Sequence, residues 1–404
     1  MGGKSSKNFR DSKESKLDKD LQEAIIKQFE RMTGGKPQLT FESFKAFSDR
    51  YLDTNFQKAV FQAFKKFRKD DKVTCENVLR FAELLFGGSD QLASCIILFD
   101  LKLRSVVEAS VASFFICECP KEHYPVNLLV DFIMAEAPQE ELGLDFTLFS
   151  KWLSKSTMLP SILMRIFNGL LLNKNQHVIP KLSNPTVLSP ASIFAISLEL
   201  PIKDRQNWSL LFSSAMQGES FSKLYNAVNG SGPCLIVIET DKGKIFGGFA
   251  NEGFISGPHH SGDSRCFLFQ DRPKIAIYSA TGFNNDFAYL NYRQTSFPNG
   301  LGIGGHDNNW SFFLHDEYGL GTSCPSISTF EKCWLAGETR FKTKTIEAWR
   351  IGEPVKRKRY DSAGDEIIGE EVSVLDRDPE AKAILELTGK KSYCEPFREQ
   401  KEKE

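Results

Sequence analysis

The sequence predicts an α+β protein whose first half is helical and whose second half is built mainly from antiparallel strands. Two observations lead to this fold class. Apolar residues recur every three or four positions from about Leu17 to Asn173, which is the period of helices with one buried face. After about Pro190 the chain changes to short β-branched and aromatic runs bounded by Gly, Pro and Asp, which are typical of packed strands. Residues 174–189, rich in Pro, Asn and Ser, are predicted as a linker.

Residues 1–16 are predicted as a disordered, lipidated basic tail. Removal of the initiator Met would expose Gly2, and Ser6 stands at the hydroxyl position of the N-myristoylation pattern. A single myristoyl chain gives a protein only weak affinity for a bilayer. Basic residues beside an anionic leaflet supply a second attraction. Lys4 and Lys7 are such residues. We therefore expect lipidation at Gly2 and contact with a membrane, and the alternative is an unmodified disordered end.

Residues 17–173 are predicted to form a bundle of short helices. The stretch LQEAIIKQFERM places Leu21, Ile25, Phe29 and Met32 on one face, and the same period recurs in later segments separated by short loops. The run MLPSILMRIFNGLLL contains an arginine and is shorter than the about 20 apolar residues that span a bilayer. It is therefore predicted as a buried or partner-facing helix.

Pairs of helices around short loops raise the question of an EF-hand domain. The best-placed loop begins at Asp100, but Lys102 and Arg104 stand at the third and fifth ligand positions. Val111 stands where a bidentate Glu is required. The sequence thus predicts a degenerate, EF-hand-like helical domain without calcium binding through this loop. No metal site, catalytic residue or cofactor is predicted anywhere in the chain.

The segments GPCLIVIET, GKIFGGFA, RCFLFQ and KIAIYSA are the predicted strands of the second half, with helices at its start around residues 208–225. The glycines of FGGF and LGIGG are predicted to allow positive φ and close backbone approach at strand ends. A phosphate cradle would require a helix after LGIGG, whereas a strand-like aromatic run follows. Nucleotide binding is therefore not expected there.

Residues 375–389 are predicted to form a short partner-binding helix. Asp378 fits an N-cap and Gly389 fits the C-terminal stop. A helix of about three turns is only marginally stable in isolation, so we expect it to dock on a surface. A charged linker, residues 353–374, precedes the helix, and a disordered tail, residues 390–404, follows it.

Composition disfavours several classes of function. The formal net charge is -1 and the isoelectric point is about 6.6, so no global charge favours nucleic acid as a partner. The nine cysteines are scattered without metal-binding spacing, and the polar N-terminus lacks a secretory apolar region. We therefore expect a cytoplasmic protein in a reducing compartment.

Motifs between about Pro190 and Trp349 resemble the TLDc domain family. The motifs follow in the family's order: LPIKDRQNWSLLFSSAMQGESFSKLY, FGGFA, GDSRCFLFQ, NGLGIGGHD, GTSC, STFE and IEAWRIG. The resemblance implies a TLDc domain over residues 190–352, with two antiparallel sheets flanked by helices. It also implies binding to the vacuolar proton-pumping ATPase and protection from oxidative stress, without itself implying catalysis.

The acceptor glycine, the helical domain and LDRDPEAKAILELTG narrow the resemblance to lysosomal members of this family that are associated with mTOR signalling. The implied partners are proton-pump subunits, mTOR signalling components and the lysosomal membrane. In such members the helix after the TLDc domain helps to bind the pump. The resemblance assigns this role to Ala381, Ile384, Leu385 and Leu387.

The residues themselves offer little support for catalysis. GPHHSGD sets two histidines near Asp263, but adjacent histidines on an extended chain point to opposite sides and rarely share a metal. Cys324 would need a histidine base, and His306 and His315 are candidates only because they are near in the sequence.

We therefore expect a non-enzymatic regulatory protein on the cytosolic face of the lysosomal membrane. It would bind the vacuolar ATPase through its TLDc domain and C-terminal helix and would be linked to mTOR signalling. The alternative is a protective enzyme of oxidative stress, or a redox sensor, that uses a cysteine of the TLDc domain. The candidates are Cys234, Cys266, Cys324 and Cys333, of which the first two stand in apolar runs that favour buried, inert thiols.

Overall fold

The α+β class is confirmed by a computed structural model of the chain, in which helices fill the first half and strands dominate the second. The described residues are 17–120, 124–138, 145–306, 309–354, 359–360 and 366–367. The helices are α1 Lys19–Thr33, α2 Phe41–Ser48, α3 Thr54–Lys65, α4 Cys75–Leu85, α5 Ser89–Ile97, α6 Leu103–Glu118, α7 Asn127–Met134, α8 Phe146–Lys155, α9 Met158–Leu172, α10 Pro190–Glu199, α11 Ser214–Gln217 and α12 Phe221–Val228.

Side-chain caps explain where several helices begin and end. The Asp53 carboxylate accepts the Asn55 N–H at 2.9 Å and starts α3. Ser189 caps α10, and Pro190 takes the first helical position, where no N–H is needed. Gly34 ends α1 with a φ of 62°, a left-handed conformation that glycine adopts without a steric penalty.

The helices pack around α9, which contacts α1 and α6. Ile25 and Phe29 of α1 and Ile166 of α9 are buried in one apolar cluster, as their period predicts. Gly169 is required in α9, because a Cβ there would lie 2.7 Å from a carbon of the Tyr51 ring. Among the described residues, no helix is both long and apolar enough to cross a bilayer.

The loops after α1 and α3 lie side by side. Leu39 and Val73 form an antiparallel bridge, in which the Leu39 N–H donates to the Val73 carbonyl at 2.9 Å. The stretch that begins at Asp100 is not a twelve-residue loop, because α6 already begins at Leu103. Asp100 instead forms an exposed ion pair with Lys66 at 3.9 Å. The EF-hand likeness of this half stays a prediction.

The strands that the structure describes between residues 208 and 351 pair with one another in antiparallel fashion. They are β1 Trp208–Ser213, β2 Cys234–Thr240, β3 Ile245–Ala250, β4 Phe267–Arg272, β5 Ala276–Ser279, β6 Ala288–Asn291, β7 Gly300–His306, β8 Asn309–His315, β9 Leu320–Thr322 and β10 Arg340–Ile351. The sequence prediction of helices from residue 208 is wrong at its start. Residues 208–213 form β1 instead, because this apolar run pairs with β10.

One strand, β10, belongs to two sheets. Residues 340–342 pair with β9, whereas residues 343–350 pair with β2 and the last residues also pair with β1. The first sheet therefore runs β1-β10-β2-β3-β4-β5, and the second runs β10-β9-β8-β7-β6. Phe246 of the first sheet and Phe312 of the second have ring centroids 6.1 Å apart in the core between the sheets.

The outer face of the first sheet is buried as well. Phe269 of β4 belongs to the same apolar cluster as the helical half. Phe194 of α10 lies in this cluster, with its ring centroid 4.6 Å from that of Phe114 in α6. A continuous apolar core therefore joins the helices to the first sheet.

Three buried carboxylates fix the predicted linker between α9 and α10. Glu118 of α6 accepts the backbone N–H groups of residues 178 and 179 at 3.1 and 3.0 Å. Glu347 of β10 accepts the Val187 N–H at 2.9 Å. Asp271 of β4 accepts hydroxyl groups at the start of α10. Buried carboxylates are tolerated only when hydrogen-bonded, so these contacts hold the connection against both halves.

Beyond Pro354, the structure describes two short strands that belong to a second unit of the chain. These strands, β11 Arg359–Tyr360 and β12 Glu366–Ile367, pair in antiparallel fashion. They fall within the segment that the sequence predicts as a charged linker.

Candidate interaction surface

The sites that the sequence predicts lie outside the described residues. They are the lipidation site Gly2 and the partner-binding residues Ala381, Ile384, Leu385 and Leu387. Their roles stay predictions. The described residues offer another candidate surface, on the β-rich half.

An open groove of about 1110 Å³ lies on the outer face of the second sheet. The pairing of β9 with β10 sets Arg340 opposite Thr322 and Lys342 opposite Leu320. Phe341, between the two cations, belongs to the core between the sheets. Because side chains alternate across a strand, Arg340 and Lys342 lie on the outer face and reach the groove.

One wall of the groove is aromatic. Trp310 and Phe313 of β8 have ring centroids 5.1 Å apart and cluster with Tyr289 of β6. Gly302 of β7 lies beneath both rings, since a Cβ there would be 2.6 Å from Cε3 of Trp310. The prediction for LGIGG is confirmed instead at Gly304 and Gly305, near the end of β7, whose φ values are 69° and 114°; a Cβ on Gly305 would collide with the Asn309 carbonyl.

Charges of both signs line the rest of the groove. Lys242 and Glu338 form an ion pair at its rim, and Asp316 lies among the lining residues. Arg340 and Lys342 are exposed. A lining that contains both cations and carboxylates does not favour a polyanion such as nucleic acid as the binding partner. It matches a protein surface that also carries both signs.

His315 lies in the groove as a neutral imidazole at neutral pH. Burial is the main cause that lowers the pKa of His315 below its usual value, against the opposing effect of Asp316. Arg340 lowers this pKa further, and Glu317 raises it. The His315 ring also packs edge-on against Phe313, with a centroid distance of 5.1 Å.

Two histidines converge on one carboxylate near the end of β7. His306 Nδ1 lies 3.0 Å from Asp286 Oδ2, and His260 Nδ1 lies 3.7 Å from Asp286 Oδ1. His260 Nε2 also lies 2.8 Å from the Gly305 carbonyl, and its ring centroid is 5.6 Å from that of Trp310. The described ranges contain no group of His, Cys, Asp and Glu side chains suited to a metal ion. The cluster joins the loop between β5 and β6 to the aromatic wall.

Most of the candidate redox cysteines are poorly suited to thiol chemistry. Burial raises the pKa of Cys266 to about 11 and that of Cys333 to about 12, and it also raises the pKa of Cys234. The thiolate is the reactive form of cysteine. With pKa values raised in this way, little thiolate exists at neutral pH. The predicted burial of Cys234 and Cys266 is confirmed. Cys324 is partly exposed in the groove, with Sγ 3.9 Å from Asn309 Oδ1.

Sequence reasoning missed both the groove and Asp286. The groove forms only where β8 and β9 meet the start of β10, and a long connection, residues 323–339, separates β9 from β10. The local signal was the alternation in RFKTK, where Arg340, Lys342 and Lys344 stand at every second position. Asp286 has no comparable signal, because its partners His260 and His306 come from distant segments.

Comparison with known proteins matches residues 182–352 to the family model described as the TLDc domain. MTOR-associated protein MEAK7 of Homo sapiens is 36% identical over 216 residues, which cover 53% of this chain and 46% of that protein. Its counterpart in Gallus gallus is 33% identical over 293 residues, 67% of this chain and 60% of that protein. Oxidation resistance protein 1 of Yarrowia lipolytica is 27% identical over 164 residues, 38% of this chain and 67% of that protein. The matched part of the chain spans between 45% and 64% of the length of the MEAK7 relatives.

Proposed function

Because the chain contains a TLDc domain, we propose that it is a non-enzymatic regulatory protein that binds the vacuolar proton-pumping ATPase. We further propose that it acts on the cytosolic face of the lysosomal membrane and is linked to mTOR signalling. The relatives named MTOR-associated protein support that link. The chain covers only part of the length of these relatives.

The observation that carries the binding role is the groove on the second sheet. It combines an aromatic wall with a polar rim that carries both positive and negative side chains, which is the composition of protein interfaces. Leu320 projects from its floor and is 40% exposed. Such a surface favours contact with a folded protein partner.

Two weak contacts on one chain can give tight binding overall. In the proposal, a myristoylated Gly2 and its basic neighbours hold the membrane, while the TLDc domain and the predicted C-terminal helix contact the pump. Once one contact forms, the other meets its target at a high effective concentration. Each contact can therefore be weak alone, and loss of one should lower affinity severalfold or more.

The first experiment tests whether the predicted C-terminal helix binds the pump. We expect the double change Ile384→Asp and Leu385→Asp to weaken recovery of pump subunits from lysosomal membranes, because charges would replace the proposed apolar contacts. The control is Lys382→Ala with Glu386→Ala, on another face of the same predicted helix. If the Asp variant and the unmodified chain recovered equal amounts of pump subunits, the helix would be excluded as a binding element.

A second experiment tests the groove. Arg340→Glu with Lys342→Glu reverses two exposed charges of its lining. We expect pump binding to weaken severalfold, more at low salt than at high salt, because surface charges act through screened attraction. Lys151→Glu with Lys155→Glu on α8 makes the same charge change in the helical half and should bind normally. Similar effects of the two variants would remove the groove from the interface.

The alternative is an enzyme of oxidative stress or a redox sensor, and two observations favour it. Oxidation resistance protein 1 is among the relatives of the chain, and Cys324 and the neutral His315 both line the groove. Peroxide-dependent turnover that is lost in Cys324→Ser would support this function. Absence of turnover by the full chain across peroxides would count against it.

A further inference from the structure

The loop between β5 and β6, residues 280–287, presents a phenylalanine to solvent. Phe283 is 84% exposed, the largest exposed fraction among the large apolar side chains in the described part of the chain. Exposed apolar residues are common singly, so exposure alone carries no argument. The way in which this loop is held distinguishes Phe283 from the others.

Hydrogen bonds fix the loop on both sides of Phe283. The Thr281 N–H donates to the Thr329 carbonyl at 3.0 Å, and the Asn284 amide donates to the Ser328 hydroxyl at 3.0 Å. The Phe283 N–H itself donates to the Thr281 hydroxyl at 3.3 Å. The tip is therefore tied to the segment that follows β9.

The base of the loop is fixed as well. The Gly305 N–H donates to the Asp286 carbonyl at 3.0 Å, and the Gly304 N–H donates to the Phe287 carbonyl at 2.7 Å. The Asp286 carboxylate lies between the two histidines described above. A side chain on a loop that is already ordered loses little entropy when it binds, which raises the affinity that one contact can give.

The charges around Phe283 indicate what kind of partner it meets. The loop sequence ATGFNNDF contains one carboxylate and no lysine or arginine. Beside it, Glu331 accepts the Ser279 N–H at 3.1 Å. The exposed Lys332 beside Glu331 offsets one negative charge, so the loop lacks the excess of basic residues that attracts an anionic bilayer. Amides and carboxylates around an aromatic ring match a protein pocket with hydrogen-bond donors at its rim.

We propose that Phe283 is an anchor that enters an apolar pocket of a protein partner, with pocket-rim donors bound to the polar residues beside it. Rigid aromatic anchors surrounded by polar contacts often dominate the energy of an interface. His260 contacts both Asp286 and Trp310, so the loop continues into the aromatic wall of the groove. The inference rests on the proposed function in one respect: the proton pump is the partner that carries the pocket.

The test measures binding of the full chain to purified proton pump. Phe283→Ala should weaken binding at least about tenfold, because the anchor is lost. Phe283→Leu should keep most of the affinity, since it still fills an apolar pocket. Ile202→Ala is the matched control, because Ile202 is 81% exposed and lies outside the loop. Thermal unfolding of all three variants should match that of the unmodified chain.

Each other outcome overturns the inference in a distinguishable way. If the unmodified chain binds the pump and Phe283→Ala binds equally well, the anchor is wrong and the proposed function stands. If the unmodified chain does not bind the pump, the proposed function fails and this inference fails with it. If Phe283→Ala loses binding to vesicles containing phosphatidylserine and keeps binding to the pump, the residue contacts lipid.

Discussion

Glu118 is the clearest case of one residue on which distant parts of the chain depend. Its side chain is 1% exposed, and the Arg165 Nε lies 2.5 Å from it. Arg165 also donates to the Cys117 carbonyl at 3.1 Å. The pair is buried between α6, α9 and the connection to α10, so neither charge can be hydrated if the other is removed.

We expect Glu118→Gln to lower the free energy of unfolding by about 3–5 kcal/mol, because Arg165 would stay buried without its carboxylate. Urea unfolding followed by circular dichroism measures this change. Glu108→Gln is the control, since Glu108 pairs with Arg104 at the surface and its loss should change the free energy of unfolding little. Similar losses in the two variants would show that the buried pair adds nothing.

His315 predicts a pH dependence of stability. Its folded pKa is lowered, so below about pH 6.5 the unfolded chain binds the proton more readily than the folded one. The contribution of His315 is therefore complete above that pH and falls as the pH drops toward the lowered folded value. We expect the melting temperature to fall less in His315→Gln than in the unmodified chain between about pH 7.5 and 5.5. Parallel profiles would contradict the lowered pKa.

Among the elements, α10 connects the helical half to the first sheet, and its first turn is bonded to β4. Asp271 is fully buried in β4 and accepts the Ser192 hydroxyl at 2.5 Å. We expect Asp271→Ala to cost about 1–3 kcal/mol, because buried hydroxyl groups would lose their acceptor. Hydrogen exchange should accelerate at the first turn of α10. Asp241→Ala, at an exposed position, is the control, and equal exchange in both variants would exclude the role of Asp271.

The elements also show which patterns can be read from a sequence. The helical period predicts α1 because a long amphipathic pattern has few alternatives, and the apolar run of residues 158–172 predicts α9 as a buried helix. It fails at residues 208–213, since a short apolar run does not distinguish a strand from a helix, and pairing with β10 decides. β9 has only three residues and forms through its neighbours β8 and β10. The groove depends on these pairings, so it could not be predicted.

At the scale of the whole molecule, the first sheet is buried on both faces. The outer face carries apolar side chains that belong to the helical cluster: Leu235, Val237, Phe249, Phe267, Phe269, Trp349 and Ile351. Exposing large apolar side chains costs about 1.5–3 kcal/mol each. The part of this chain that matches the TLDc model, residues 182–352, therefore depends on the helical half for its stability.

We expect residues 190–352 alone to aggregate or to bind a hydrophobic dye, whereas residues 17–354 should stay monomeric and bind little dye. Size-exclusion chromatography and dye fluorescence check this. Phe269→Ser with Val237→Ser in the short fragment should reduce dye binding, because both side chains lie on the exposed face. A monomeric short fragment without dye binding would contradict the shared core.

The position of β10 has a mechanical consequence. The strand leads directly into the chain beyond Pro354, where the predicted partner-binding helix lies. A partner that pulled on that segment would load β10 along its length. Its hydrogen bonds to β1 and β2 run across the pulling direction, so they would resist together in shear instead of opening one after another. Tension applied to that segment would thus be carried by β10 together with β1 and β2.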